Sequence, residues 1–414
     1  MKSTIQTRRM SVAARRARPS APAGVACPAC GTAATREFFR ADAVPVFCNV
    51  TYKTAAAAHR ARRGDIRLRM CPRCGYIHNA AFDAALAAYA RPYENAQHFS
   101  PFFRRYAEQL ASRLVEHLDL HGKRIIEIGC GDGYFLRLLC RAGKNSGTGF
   151  DPAHRGDGDS ESGDADVSFR PEYYGPDHAG RDVDFICCRH VLEHIADPLR
   201  FLAELRETLG GRRHVRLYFE VPNALQILQG FAMWDVLYEH CGYFLAPALE
   251  RLFWRAGFEP LSTWQTYAGA FLAMVARPAC DTRACATRSP ALGKDVLIAA
   301  ESFTDRFRRR TAFWSKYLTS LRDQFKRAVF WQAGSRGVTL LNALGQSGQL
   351  VSHVVDVNPR KQGRFVPCSA QQIVAPGFLR RCPPAAVIIM NPVYRKEITK
   401  LMEDLGVRTS VLVA

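Results

Sequence analysis

The 414-residue sequence has no run of about 20 uninterrupted apolar residues, the length a helix needs to cross a bilayer. A soluble, cytoplasmic protein with no membrane partner is expected. An export signal is missing too: the paired arginines Arg8-Arg9 and Arg15-Arg16 have no apolar h-region behind them. Acidic residues are in deficit, 38 Asp and Glu against 57 Lys and Arg, for a net charge of +19. Such a surplus admits a nucleic-acid partner. Here it is scattered, part in a basic segment rich in Ala, Pro and Ser and part in Arg306 to Arg310 on a helix face. Residues 1–26 therefore read as a disordered tail, or as the product of a mis-assigned start codon. Nucleic acid is not the expected partner, and the arginines suit an anionic small molecule such as a nucleotide diphosphate. With 14 cysteines and no export signal, disulfides are not expected either. No pattern addresses the oligomeric state.

Hydrophobic residues at 48% and charged residues at 23% are ordinary for a globular chain, and the length allows two or three domains. Cys27-Pro-Ala-Cys30-Gly and Cys71-Pro-Arg-Cys74-Gly are matched Cys-x-x-Cys turns, each followed by glycine. That spacing aims two thiolates at one ion, so the two turns supply four tetrahedral ligands to a structural zinc with no open position. The gap, on the order of 40 residues, exceeds the commonest zinc-ribbon spacing. A redox pair is the alternative, and Cys48, His59 and His78 are conceivable substitute ligands. A zinc-binding domain is assigned to residues 27–83.

A helical pattern with Tyr89, Tyr93, Phe102, Phe103 and Tyr106 runs from about Ala84 to His117, interrupted at Arg91 to His98. Ile125 to Ile128 then reads as a buried parallel strand, Gly129, Gly131 and Gly133 as its turn, and Phe135 to Leu139 as the start of an amphipathic helix. About 18 residues after Gly133, a second strand ends in Asp151. A Gly- and Asp-rich insertion loop is expected at Gly156 to Asp166. Further strands at Val183–Cys188, Val215–Val221 and Leu272–Ala276 alternate with helices. This is an α/β fold with a doubly wound sheet, assigned to residues 84–277. After a connector at Arg277–Gly293 comes a long helix, about Asp295 to Arg327, and then a second, smaller set of βα units; residues 278–414 form a C-terminal α/β domain.

The glycine loop is not the Gly-x-Gly-x-x-Gly of NAD enzymes. Its glycines alternate, and the acid Glu127 precedes them. A pyrophosphate suits a bare helix N-terminus, whereas the ammonium of an amino-acid-bearing cofactor suits an acid. Asp151 is placed to accept from both ribose hydroxyls. Together these match the Rossmann-like pattern of class I S-adenosylmethionine-dependent methyltransferases; a Rossmann domain for another nucleotide is the alternative. Val191-Leu-Glu193-His194-Ile resembles the segment after the fourth strand in many of those enzymes, near the cofactor's methionine end. Glu193 is accordingly assigned to the cofactor. His194 is either a site residue or a structural histidine.

Tyr238-Glu239-His240 lies in an aromatic segment that continues to Tyr243-Phe244. Methylating carbon needs a base to remove a proton alpha to a carbonyl; His240, oriented by Glu239, suits that work, and Tyr238 suits donation to the developing enolate. The alternative is an aromatic loop that lines the substrate without a base. These segments, with the cysteine knuckles, Ala333-Gly-Ser-Arg-Gly337 and Asp356-Val-Asn-Pro-Arg-Lys-Gln-Gly-Arg-Phe-Val-Pro367, resemble the zinc-containing sugar C-methyltransferases of deoxysugar biosynthesis. The resemblance covers almost everything after the tail. It implies base chemistry at Glu239 and His240 beside a keto-sugar, with His194 nearby. It also suggests a nucleotide sugar as substrate, whose phosphate Ser335-Arg336-Gly337 would hold at a helix start.

The sequence departs from that family at one position. The sugar enzymes carry a tyrosine three residues before the histidine; here Leu237 stands there and the tyrosine falls at Tyr238. The substrate, and C- against O- or N-methylation, stay open on the sequence. Two rival readings also remain: a zinc-containing RNA base methyltransferase, and a non-catalytic binding protein with a methyltransferase fold.

Overall fold

The computed structural model describes residues 26–87, 93–154, 166–178, 182–230, 232–280 and 292–414. The basic tail up to residue 25, Tyr89, most of the expected Gly- and Asp-rich loop, and residues 281–291 of the connector lie outside them.

The strands are β1 (Arg36–Pro45), β2 (Arg63–Met70), β3 (Ile77–Asn79), β4 (Arg124–Ile128), β5 (Ser146–Phe150), β6 (Val167–Arg170), β7 (Phe185–Arg189), β8 (Arg216–Pro222), β9 (Gly242–Tyr243), β10 (Phe258–Thr266), β11 (Phe271–Pro278), β12 (Ala328–Trp331), β13 (Val351–Val355), β14 (Ile373–Val374), β15 (Ala386–Ile389) and β16 (Ser410–Val413). The helices are α1 (Ala55–His59), α2 (Pro101–Leu118), α3 (Tyr134–Gly143), α4 (Pro198–Leu209), α5 (Ala224–Gln229), α6 (Ala246–Arg255), α7 (Lys294–Glu301), α8 (Phe303–Asp323), α9 (Ser335–Ala343) and α10 (Arg395–Asp404).

Three sheets organise them. The central sheet has seven strands in the order β10-β11-β8-β7-β4-β5-β6. Its pairs from β6 through β8 are parallel, and β11 and β10 are added antiparallel at one edge. The order reverses between β4 and β7, so the crevice outside their carboxyl ends is where a ligand belongs. These strands read as apolar runs because both faces are covered: Ile125, Ile126, Ile128, Phe185, Ile186, Cys187 and Cys188 are all buried. The C-terminal sheet is parallel, in the order β14-β13-β12-β15-β16, with its own reversal between β12 and β15.

The small N-terminal sheet has the order β1-β2-β3-β9. Its last strand is therefore not its own: Ile77 and His78 pair with Tyr243 and Gly242, directly after Tyr238-Glu239-His240. The N-terminal segment is also tied to the C-terminal sheet. Tyr52 and Phe365 exchange backbone hydrogen bonds at 2.9 and 2.8 Å, and Cys368 N–H donates to Ala58 O.

Three segments depart from a simple helical pattern. The continuous helix expected from Ala84 is absent from the described residues before Ser100, whose hydroxyl caps α2 by accepting from Phe103 N–H, with Pro101 behind it. The segment Val191–Ile195 makes only a single 3₁₀ turn; the chain is extended at Ile195, and α4 restarts behind the Asp197 cap and Pro198. The long helix expected at Asp295–Arg327 is divided into α7 and α8 at Ser302.

Candidate active site

The site is built where the switch points of the two larger sheets face each other. Beside β4, a cavity of ≈ 1350 Å³ is lined by Glu127, Gly129, Gly131, Asp151, His154, His190, His194 and Glu239, among others. A smaller chamber of ≈ 160 Å³ is lined from one side by His190, Glu193, His194, Leu237, His240 and Tyr267. From the other side it is lined by Gln332, Ser335, Arg336, Asp356, Asn358 and Tyr394, at the carboxyl ends of the C-terminal sheet. Tyr93, Gln97, His190 and His194 border both spaces, so the two meet there.

The larger cavity fits a cofactor of the expected kind. Gly129 has φ 74°, and a Cβ there would lie 2.2 Å from Val191 Cγ2, so the turn requires glycine. Gly131 has φ 57° and would meet nothing within 4 Å, so its backbone faces open space. Its N–H donates to Asp151 Oδ2 at 2.9 Å, which ties the loop to the end of β5. Glu127 is buried, and its Oε2 has no partner among the described residues. Burial raises its pKa, Arg189 opposes the rise, Asp132 and Asp151 add to it, and the result is about 8. An uncompensated buried carboxyl beside an open glycine turn suits an incoming ammonium.

The Tyr-Glu-His segment is divided by its backbone. Consecutive residues on this non-helical stretch point different ways, so neighbours in sequence are not neighbours in the site. His240 lines the chamber, is 9% exposed, and has an Nδ1 without a partner among the described residues. Burial lowers its pKa, the charge of His194 adds to that, and it settles at about 4. The ring is thus neutral and able to accept a proton at pH 7. His194 packs edge-on against it, with ring centroids 4.9 Å apart, and its Nδ1 lies 2.9 Å from the backbone oxygen of Glu239.

The Glu239 carboxylate borders the larger cavity and does not bond His240: its Oε1 accepts from Cys48 N–H at 3.2 Å in the N-terminal segment. Burial raises its pKa. Tyr238 reaches neither cavity. Its hydroxyl accepts from Asp83 N–H at 2.9 Å, its ring packs on Phe82, and a Cβ on Gly64 would collide with it. Leu237 lines the chamber in its place.

The carboxylate that accompanies the histidines is Glu193. One of its oxygens and a ring nitrogen from each of His194 and His240 lie within 4.8 Å of one another. Glu193 is 2% exposed and held below the usual carboxylate range. Burial pushes the other way, and the contact with His190 leads the neighbouring histidines in outweighing it. Sequence reasoning passed over His190, Arg189 and Glu220. The signal was present in His190-x-x-Glu193-His194, since a reversal straight after a strand brings such residues to one crevice.

Arg336 is engaged within the protein through Nε and Nη2. It makes two hydrogen bonds to Asp235, 2.7 and 2.6 Å, both side chains being mostly buried, and so docks α9 on the segment leading to His240. Asp356 repeats at the C-terminal sheet what Asp151 does at the central one. It accepts from Ala333 N–H at 2.8 Å and from Asn358 N–H at 2.8 Å.

The four knuckle cysteines converge. Cys27 and Cys74 sulfurs are 3.6 Å apart, Cys30 and Cys71 3.5 Å, and all four lie within 4.8 Å of one another. A tetrahedron with metal–sulfur bonds of about 2.3 Å has edges of roughly 3.8 Å, so the donor set fits zinc. Gly31 and Gly75, at φ 71° and 79°, close the turns by donating to Cys27 O and Cys71 O.

Comparison with known proteins agrees with this architecture. A methyltransferase domain family matches residues 98–263, and a C-methyltransferase C-terminal domain family matches residues 282–413. The class so defined, by strand order, glycine turn and these matches, is the class I methyltransferase fold. The chain thus carries a methyltransferase domain followed by a segment that matches a C-methyltransferase C-terminal domain.

Curated relatives are named tRNA U34 carboxymethyltransferase. That of Campylobacter hominis is 35% identical over 119 residues, 25% of this chain and 38% of the relative. That of Ectopseudomonas mendocina is 29% identical over 155 residues, 36% of this chain and 48% of the relative. The matches thus span less than half of these relatives. Among solved structures, a magnesium protoporphyrin IX methyltransferase from Synechocystis PCC 6803 with bound SAH has a TM-score of 0.34 at 16% identity, covering 46% of this chain and 91% of that one. The 1,6-didemethyltoxoflavin-N1-methyltransferase of Burkholderia thailandensis has a TM-score of 0.32 at 18% identity, covering 46% and 93%.

Proposed function

We propose that this enzyme methylates carbon, alpha to a carbonyl, on a small sugar-like substrate, with a nucleotide sugar as the leading class. The observation that carries the reading is the chamber between the two sheets, lined by His240 and joined to the cofactor cavity at His194. The match of residues 282–413 to a C-methyltransferase C-terminal domain supports it.

When bound, S-adenosylmethionine supplies a methyl group on a sulfonium. Glu127 would hold its ammonium, the Gly129–Gly133 turn its amino-acid end, and Asp151 its ribose. His240 accepts the proton from the substrate carbon, since burial keeps its ring neutral at pH 7. The deprotonated carbon would be the acceptor for the methyl group that the bound cofactor would supply. Leu237 brings no phenol; Tyr93, on the wall shared by both spaces and hydrogen-bonded by Asn49, is the phenol that would donate to the developing enolate. Zinc at Cys27, Cys30, Cys71 and Cys74 is structural: four thiolates leave no open position. It braces the sheet that ends in β9, and so the segment bearing His240.

The test uses ¹³C-methyl-labelled S-adenosylmethionine with a panel of nucleotide keto-sugars, reading the product by NMR. A carbon-bound methyl that disappears with His240→Ala supports the reading; an O- or N-bound methyl refutes it. A second reading, methylation of RNA, draws on the names of the curated relatives. It requires salt-dependent tRNA binding, with methyl transfer to tRNA; a chamber of ≈ 160 Å³ walled on one side by the C-terminal sheet favours the small substrate.

A further inference from the structure

One charged group of the site is not used by this chemistry. His190 follows β7 in the left-handed region, φ 56°, and its N–H donates to Glu220 O at 2.8 Å. Non-glycine residues take that conformation at a cost, which the surrounding contacts must overcome. The ring stands between two buried carboxylates. Its Nδ1 is 3.6 Å from Glu193 Oε1, and its Nε2 is 3.1 Å from Glu220 Oε1. The Nε2 contact lies off the hydrogen-bond line and acts as an ion pair. A neutral imidazole has one N–H and one lone pair, so it attracts one carboxylate and repels the other; only the doubly protonated ring suits both. Burial works against the cation, and the two carboxylates outweigh it, raising the pKa to about 9.

The two carboxylates are unequal. Glu220 is fully buried and fully engaged: Arg189 donates to Oε1 through Nε at 3.0 Å and Nη2 at 2.8 Å, and the hydroxyls of Tyr106 and Tyr218 donate to Oε2. Glu193 has no arginine. Its Oε2 is buried without a partner among the described residues, and it faces His190, His194 and His240. His240 in turn faces His194, Glu193, Asp235 and His190. Removing the charge of His190 therefore leaves Arg189 satisfied by Glu220 and Glu193 as the uncompensated group.

We propose that His190 is a positioning residue of this centre: as a cation bridging Glu220 and Glu193, it keeps Glu193 a carboxylate directed at His194 and His240. That carboxylate then orients the two histidines and stabilises the charge His240 acquires when it takes a proton. The purpose of the device rests on the base chemistry proposed above; the charge arrangement stands on geometry alone and is tested apart from turnover.

The experiment uses the full-length, zinc-loaded protein with S-adenosylhomocysteine bound, labelled with ¹⁵N in histidine and ¹³C in glutamate carboxyls. Glu193→Gln assigns the Glu193 signal. The expected result is that both His190 nitrogens stay in the imidazolium range up to pH 8, while Glu193 remains ionised at pH 5. In His190→Asn, the Glu193 midpoint rises by about two pH units, the size of shift a buried carboxylate shows on losing an adjacent cation. Asparagine is chosen because it tolerates left-handed backbone. A His190 that is neutral at pH 7, or a Glu193 midpoint that does not move, overturns the proposal. So does a divalent ion bound beyond the cysteine site and lost in Glu193→Gln, because a metal would use the same donors. Should His190→Asn fail to fold, the wild-type His190 spectrum against that of Glu193→Gln decides: the midpoint of His190 must fall when its partner charge is removed.

Discussion

Cofactor affinity should depend steeply on pH through one residue, Glu127. Without ligand its carboxyl titrates at about 8, because burial raises it, with Asp132 and Asp151 adding and Arg189 opposing. The cofactor's ammonium binds the ionised form, so below that pH binding must first expel a proton. The penalty follows directly: affinity is about 11-fold below its limit at pH 7 and about 100-fold below at pH 6, close to tenfold or about 1.3 kcal/mol per pH unit. About 0.9 proton should be released per ligand bound at pH 7, by the same linkage. Calorimetric titration with S-adenosylhomocysteine, in two buffers of different ionisation enthalpy between pH 6 and 7.5, reads both quantities. The ligand's own ammonium titrates at higher pH and would change affinity in the opposite direction, so this window isolates Glu127. Glu127→Gln should flatten the profile and weaken binding at pH 7.5. A dissociation constant that changes less than about threefold between pH 6 and 7, with no proton released, would refute the assignment of Glu127 to the ammonium.

Cys71→Ser should remove about one zinc per chain by metal analysis and lower the protein's solubility; one zinc still bound would refute the four-cysteine set. Gly129→Ala and Gly131→Ala should separate packing from binding. The first collides with Val191 and should cost about 2–4 kcal/mol in unfolding stability, whereas the second should keep more of the fold and lose at least about tenfold in cofactor affinity. Equal effects on both measurements would remove the distinction. The buried Arg336–Asp235 pair should show a coupling of about 1.5–3 kcal/mol in a thermal-unfolding double-mutant cycle of Arg336→Ala and Asp235→Ala. A coupling near zero would mean that α9 docks through apolar contacts alone.

The central sheet was legible because its strands are buried on both faces and therefore appear as apolar runs, as at Ile125–Ile128 and Val183–Cys188. The glycine turn was legible because positive φ and the Val191 contact permit nothing else at Gly129. The helix expected across Ala84–His117 was overextended because apolar period alone does not reveal where a proline and a capping serine start the helix. The partner of His240 was misjudged for a similar reason. Adjacency suggested Glu239, but a non-helical backbone turns that carboxylate to Cys48 N–H, and a reversal after β7 presents Glu193 instead.

By itself, the sequence determined what depends on residue type at fixed local spacing: two cysteine turns able to share one ion, and a glycine loop with acids before and after it. Only the tertiary structure decided what depends on residues far apart in the chain. It lends β9 to the N-terminal sheet, commits Arg336 to Asp235 and leaves the chamber with Leu237 where a tyrosine was expected. It also places His190 between Glu193 and Glu220. The reason is physical. Local spacing fixes which way a turn can aim its side chains, but charge compensation and chamber shape are set by which elements pack together, and no single segment encodes that.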